Sequence, residues 1–393
     1  MVIYMMIDEV RKELEEHIVP FWAELRDDEN GGFYGYMSYG LDLDKKADKG
    51  VILHSRILWF FSKCYRVLGD EKYRDLAFHA FEYVKNHCID YENGGVYWMT
   101  DYKGVPSDTM KHTYNIAFAI YALSCYYNAV KDRFALDLAY KLFADIESNT
   151  LDEYGYREAF TIDWKLVPND ALSENGLMAD KTMNTVLHLI EAYTELYRAD
   201  RNERVAERLR YLLGLMKDKI FDPDRNALRV FFDTKFDVIG DIHSYGHDIE
   251  ATWLTDLACD TLGDEALIKE WAERDLLISN NIYNIAFEDG AVNNERENDK
   301  IDKKRVWWVQ AESVVGFTNA YQHSGDRKFL SAAETVWENI KKYVIDKRDG
   351  GEWYSEVSFD HVPDSKKETV GPWKCPYHNG RMCLELIERR AEL

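Results

Sequence analysis

The chain has 393 residues, 46% of them hydrophobic and 14% aromatic, and a formal net charge of −22. A polyanion partner needs a basic face that releases counterions; the basic run Lys300 to Arg305 is short, so nucleic acid is excluded and the surplus acid serves solubility. The apolar N-terminus, Met1 to Ile7, leads straight into an amphipathic segment, so neither a signal peptide nor a membrane span is expected.

The pattern along the chain is a repeat. An amphipathic helix is predicted over 5–26, followed by a glycine turn with aromatics, Glu-Asn-Gly-Gly-Phe-Tyr, at 29–34. Helices over 50–68 and 71–89 come next, and the turn returns as Glu-Asn-Gly-Gly-Val-Tyr-Trp at 92–98. Helix pairs 111–130 with 132–148, 180–199 with 201–219, 246–262 with 264–283, and 305–324 with 326–345 continue the series. Between them lie weaker turns: Glu-Tyr-Gly-Tyr at 153–156, Arg-Asn-Ala-Leu-Arg-Val-Phe-Phe at 225–232 and Glu-Asp-Gly-Ala at 288–291. Arg-Asp-Gly-Gly-Glu-Trp-Tyr at 348–354 restores the full form before a last helix over 376–391. Each helix–helix junction carries an aspartate, Asp70, Asp132, Asp200, Asp264 and Asp326, at intervals of 62, 68, 64 and 62 residues, and aspartate is a good N-cap.

Six helical hairpins can stack openly or close into a ring, and closure pairs the lone first helix with the lone last one, so neither needs a polar cap. The expected fold is therefore all-α, an (α/α)6 barrel of twelve helices in six helical-hairpin repeats, with short β-hairpins in the connecting loops. Residues 1–393 then form a single catalytic domain. Six scattered cysteines (Cys64, Cys88, Cys125, Cys259, Cys375, Cys383) without C-x-x-C spacing indicate a reduced, cytoplasmic chain.

Alternate helices line such a barrel, and their N-terminal halves carry an unusual polar set. It comprises His54-Ser55-Arg56, His112-Thr113-Tyr114-Asn115, Asn184 with His188, His247 with Glu250 and Trp253, Trp307-Trp308 with Glu312, and His378 with Arg381. Several pairs are spaced i,i+3 or i,i+4 and share a helix face. Their convergence describes a pocket. A lone helical histidine is more often structural, which is the reading for His54 and His112; of the two tryptophans, one suits the core and one a platform. Trp59, Tyr126 and Trp337 read as core.

No metal is expected: His243 and His247 lack the intervening glutamate of His-Glu-x-x-His. The sequence has neither a Gly-x-Gly-x-x-Gly nor a Walker loop, and no Gly-x-Ser-x-Gly, so no cofactor and no serine nucleophile are expected. Two chemistries remain open. Paired histidines with an arginine suit proton transfer beside a carbonyl, while facing carboxylates, with Glu250 and Glu312 the conspicuous ones, would suit glycoside hydrolysis.

Gly246-His247-Asp248-Ile249-Glu250-Ala251-Thr252-Trp253-Leu254, Trp307-Trp308-Val309-Gln310-Ala311-Glu312 and Gly371-Pro372-Trp373-Lys374-Cys375-Pro376-Tyr377-His378-Asn379-Gly380-Arg381 resemble the N-acylglucosamine 2-epimerase superfamily. His54-Ser55-Arg56 and Lys181-Thr182-Met183-Asn184 followed by His188 extend the match, and Lys-Cys-Pro-Tyr-His-Asn points to its cellobiose 2-epimerase branch. The resemblance implies inversion at C2 of the reducing-end glucose of cellobiose and related β-1,4-linked disaccharides. The route is ring opening, proton removal to a cis-enediolate, and reprotonation on the other face. His247 and His378 are then the proton-transfer pair, Arg56 stabilises the enediolate oxygens, and Glu250 orients or polarises His247. Tyr114, Asn184 and His188 become sugar contacts, and Trp308 and Trp373 sugar platforms, with Trp253, close by, and Glu312 as further substrate-binding residues. Implied partners are small-molecule sugars such as cellobiose, lactose and gluco- or manno-oligosaccharides, with no nucleic acid, no membrane, and a monomer or weak homo-oligomer. N-acylglucosamine 2-epimerase, aldose–ketose isomerase on mannose and a silent helical-repeat binding protein are the alternatives.

Overall fold

Twelve helices run in chain order through the described residues of a computed structural model, which comprise 2–169, 171–172 and 176–390. They are α1 (2–24), α2 (Val51–Leu68), α3 (71–88), α4 (Thr113–Val130), α5 (Arg133–Asn149) and α6 (Met183–Asp200). The second half repeats the plan with α7 (203–220), α8 (Tyr245–Leu262), α9 (Glu265–Ile285), α10 (Trp307–Ser324), α11 (327–344) and α12 (His378–Arg389). Every predicted helix is present, with ends shifted by a few residues. Helices α3, α7 and α11 finish in a wider π-type turn, and α1 carries one at its middle.

The even-numbered helices form an inner ring. Each packs on the next, and α12 packs on α2 to close the circle, while α1 lies against α12. The lone first and last helices thus complete a sixth hairpin, and no end of the stack is left open. Inner-helix side chains are buried on nearly every face, including Trp59 and Tyr126, and Trp337 on α11 is core as expected. Among the described residues no helix is long and apolar enough to cross a membrane.

The junction aspartates act as expected in four of five places. Asp70, Asp132, Asp264 and Asp326 each accept from the backbone N–H two residues on, capping α3, α5, α9 and α11. The third junction differs. Asn202 caps α7, and Asp200 ends α6 and accepts from the Tyr140 hydroxyl at 2.6 Å. Helix α6 has the same 18 residues as α2, α4, α8 and α10 and ends at Asp200, so the capping position falls two residues later, where asparagine supplies the same acceptor.

A second repeating device escaped the sequence reading. Two residues before an inner helix stands a buried base that reaches back to the glycine turn. Lys49 donates to Asp27 and to the Gly31 carbonyl, both at 2.7 Å. Lys111 donates to Asp90 at 2.8 Å and to the Gly94 carbonyl at 2.5 Å, and Lys181 to Asp152 at 2.6 Å. Arg305 plays this part through Asn293 and the Glu288 carbonyl, and Lys374, four residues before α12, through Glu352. A buried charge is tolerated only with such a partner, so each strut locks one turn to the entrance of one inner helix. In the fourth repeat the position holds His243, bonded instead to Asp248 at 2.6 Å. Short strands enter five of the inner helices, and that before α8, Ile242–Ser244, pairs with Glu295–Glu297 in a three-stranded sheet. All these loops lie at the N-terminal end of the ring and wall its mouth.

Candidate active site

A cavity of 660 Å³ opens at the N-terminal ends of the inner helices, and each of the six contributes to its wall. Its lining includes Arg56 from α2, Tyr114 from α4, Asn184 and His188 from α6, His247 from α8, Trp308 from α10 and His378 from α12. Trp373, 39% exposed, borders it from the loop before α12. Convergent helix N-termini place partial positive charge here, an environment suited to an anionic intermediate.

His247 and His378 both pack on Trp308, with ring centroids 4.7 and 5.4 Å from it. The indole reaches this place because residue 246 is glycine; a Cβ there would lie 2.5 Å from the Trp308 ring. Of the adjacent pair, Trp308 is half-buried at the cavity, while Trp307 is buried beneath the Lys374 ammonium. Each histidine is held through Nδ1 alone among the described residues. His378 Nδ1 donates to Glu312 Oε1 at 2.7 Å, and His247 Nδ1 shares a hydrogen bond of 2.7 Å with Ser244 Oγ. The Nε2 atoms are left for a ligand. Burial, with the His188 ring nearby, pushes His247 down to about 3. Burial and the guanidiniums of Arg381 and Arg56 hold His378 well below the ordinary imidazole range. Both shifts favour the neutral imidazole.

Behind them lies a buried polar layer. Arg381 donates to Glu191 at 2.5 Å, to Glu312 at 2.6 Å and to Glu250, and also meets the Tyr377 hydroxyl. Glu312 accepts in addition from Trp253 Nε1 at 3.0 Å, and His188 Nδ1 donates to Glu191 at 2.9 Å. Three carboxylates around one guanidinium leave surplus negative charge. Burial and the neighbouring Glu312 push Glu250 up to about 7. Glu250, Glu312 and His378 offer ligand atoms within 4.8 Å of one another, but Arg381 already sits on both carboxylates as their cation.

Arg56 differs from Arg381. It donates to Tyr114 Oη at 2.9 Å and lies over the rings of Phe118 and Tyr377 at 4.2 and 4.7 Å. Among the described residues no carboxylate pairs with it, and its Nε and the Asn184 Oδ1 are buried without partners. A permanent cation lacking a counter-ion at a cavity wall is a ready binding point for an oxyanion.

The expected residues thus divide. Arg56, Tyr114, Asn184, His188, His247, Trp308, Trp373 and His378 meet at one cavity. Trp253, Glu250 and Glu312 stand behind it. Trp253 is 1% exposed and serves Glu312, so the expectation that it touches substrate is corrected. Glu250 bonds Arg381, and His247 is held by Ser244, which corrects the expected Glu250–His247 pairing. One turn of helix puts Glu250 on the inner side of α8, facing α12. His243 is spent on Asp248. Ser244, Glu191 and Tyr377 were assigned no role from the sequence; Ser244-x-x-His247 and His188-x-x-Glu191 at i,i+3 were the available signals.

Residues 19–379 match the model of the N-acylglucosamine 2-epimerase family. The chain belongs to this family. It is 72% identical over 389 residues to a cellobiose 2-epimerase of Ruminococcus albus, covering 99% of this chain and 100% of that one. Among solved structures it superposes with a TM-score of 0.97 on a sugar epimerase from a ruminal bacterium, at 72% identity and covering 98% and 99% of the two chains. A cellobiose 2-epimerase from Bacillus thermoamylovorans aligns with a TM-score of 0.95 at 47% identity, covering 98% and 100%.

Proposed function

We propose that the chain is an isomerase that reversibly inverts C2 of the reducing-end glucose of cellobiose, giving 4-O-β-D-glucopyranosyl-D-mannose. The observation that carries this reading is the pair of histidines on one tryptophan, each with Nε2 unclaimed, beside an arginine without a counter-ion. In the opened sugar the C2–H lies next to the C1 carbonyl and is acidic enough for a histidine base. One neutral ring takes that proton, the electron pair forms the C1–C2 double bond, and the C1 oxygen becomes the enediolate oxyanion. Arg56 supplies positive charge where that oxyanion develops. Rotation about C2–C3 turns the other face, and the second ring, carrying a proton, returns it to C2. The pair carries one added proton before and after each turnover and two while the enediolate stands, and exchange with solvent resets which ring holds it. The negative charge of the enediolate offsets the second imidazolium while it lasts.

Tyr114, Asn184 and His188 bind sugar hydroxyls in this reading, and Trp308 and Trp373 offer flat faces to the pyranose rings. The ring works as one catalytic domain, since every inner helix contributes to the cavity. No metal or cofactor is required, and the partners are small β-1,4-linked sugars. Six buried, unpaired cysteines suit a cytoplasmic enzyme, monomeric or weakly associated.

The test is incubation of the purified protein with cellobiose in D2O and EDTA, followed by proton NMR. Glucosyl-mannose deuterated at C2 is expected. A ketose disaccharide would move the assignment to an isomerase acting between C1 and C2, free glucose would move it to a hydrolase, and unchanged cellobiose would reject it.

A further inference from the structure

The two histidines are held by chemically different groups. Glu312 is an acceptor fixed by Arg381 and Trp253, so Nδ1 of His378 keeps its hydrogen. Ser244 is a hydroxyl, able to donate or accept. It also stands in an unusual relation to its helix. Ser244 is the N-cap residue of α8, with the extended backbone of a cap (φ −88°, ψ 103°), yet its side chain makes no capping bond. A capping serine ordinarily accepts from the N–H of the second or third helical residue. At the same position of α6, Thr182 Oγ1 does so, accepting from Thr185 N at 3.1 Å. The Ser244 hydroxyl is diverted to the imidazole of His247, the third residue of α8. Its backbone is fixed by the strand Ile242–Ser244, where it pairs with Glu295.

We propose that Ser244 is the positioning residue of His247. Its hydroxyl accepts the Nδ1 hydrogen and leaves Nε2 bare toward C2 of the sugar, so the proton-transfer pair joins a hydroxyl-backed ring to a carboxylate-backed one. This rests on the reading of His247 and His378 as that pair. A carboxylate and a hydroxyl back an imidazole differently, so removing one partner impairs the transfer made by its own ring and leaves the other ring's transfer intact. In the variant lacking the hydroxyl, the neutral ring can rotate or carry its hydrogen on Nε2, where it cannot act as base.

The variant Ser244→Ala is expected to lose about 10–100-fold in kcat/KM, the usual effect of removing a group that orients a reacting one. The loss is equal in both directions, because the equilibrium between epimers is fixed. The isotope effects are not equal. With substrate deuterated at C2, the primary effect grows for the epimer deprotonated by His247. It falls toward one for the other epimer, whose turnover then shows the larger solvent isotope effect. Glu312→Gln gives the mirror image, and Ser244→Thr restores the wild-type pattern, with folding of each variant checked by circular dichroism. Isotope effects that move together for both epimers in Ser244→Ala, or a Ser244→Thr variant as impaired as the alanine, would overturn the inference while leaving the epimerase assignment standing. A wild-type enzyme that places no deuterium at C2 would overturn both.

Discussion

The entrances of α2 and α4 carry histidines much as those of α8 and α12 do, and the four rings have opposite fates. His54 is fully buried, with Nδ1 on the Gly50 carbonyl at 2.9 Å and Nε2 between the backbone N and O of Phe33 at 3.0 and 3.1 Å. A Cβ on Gly32 would lie 2.7 Å from that Nε2, so the first glycine turn folds directly over the ring. His112 accepts from Tyr114 N at 3.3 Å and bonds Asn169 Oδ1 at 3.1 Å, tying the loop that supplies Leu172 to the cavity wall. Among the described residues, only Nδ1 of His247 and of His378 is engaged. Residue type and helical position are shared; what separates scaffold from site is whether the second ring nitrogen has been claimed.

The most severe test of that contrast exchanges the two groups. His247→Ala and His378→Ala should each lower kcat by about 10²–10⁴-fold, the contribution of a general acid–base residue, with little change in melting temperature. His54→Ala should do the reverse, lowering stability through two orphaned backbone groups and a cavity while activity per folded molecule persists. Loss of turnover in folded His54→Ala would erase the distinction.

Next in size are the struts that frame the first repeats. Lys111→Met strands Asp90 among buried groups, and breaking a buried pair from one side costs about 3–5 kcal/mol. Urea unfolding reads this directly. The cost should be smaller at Arg305, whose partners are an amide oxygen and a carbonyl rather than a carboxylate.

The pH dependence of stability follows from the same enclosed rings. Burial pushes His54 down to about 3 and His112 to about 4, each below the value of 6.5 for an unfolded chain. Between those limits the unfolded chain binds protons that the native state refuses, so stability rises with pH from about 4 to 6.5. Glu158 and Glu250, pushed up to about 7 by burial, act in the opposite sense, since the native state holds their protons above 4.5 and stability falls as pH climbs toward 7. Thermal melts across pH 4–8 should show an acid-side rise that flattens in His54→Gln, and a neutral-side loss that is reduced in Glu250→Gln.

Much of this was legible in the sequence because it is periodic. Amphipathic spacing, glycine turns and junction aspartates gave all twelve helices and the closed ring, and the polar N-terminal halves gave the residues of the cavity. What escaped depends on contacts between repeats. Lys49, Lys111 and Lys181 look like ordinary surface lysines until the turn 22, 21 or 29 residues earlier is seen to supply a buried aspartate. Trp253 and Glu250 follow His247 at helical spacing, but the direction of each side chain is fixed by Glu312 and Arg381 on other helices. Asp200 kept the period and lost the capping role, because the chain turns two residues later.

The smallest effect concerns two hydroxyls at equivalent places in neighbouring repeats. Thr182 caps α6 and also donates to Glu158 at 3.0 Å, so Thr182→Ala removes a cap and a buried donor and should cost about 1–2 kcal/mol. Ser244→Ala removes no cap, and the half-buried His247 ring faces a cavity from which water can replace the lost hydroxyl. Its cost in a urea titration should be less than half that of Thr182→Ala, although its effect on turnover is the larger of the two. A stability loss at Ser244 equal to that at Thr182 would mean that the serine serves the helix after all, and would return the α8 entrance to the scaffold side of the comparison.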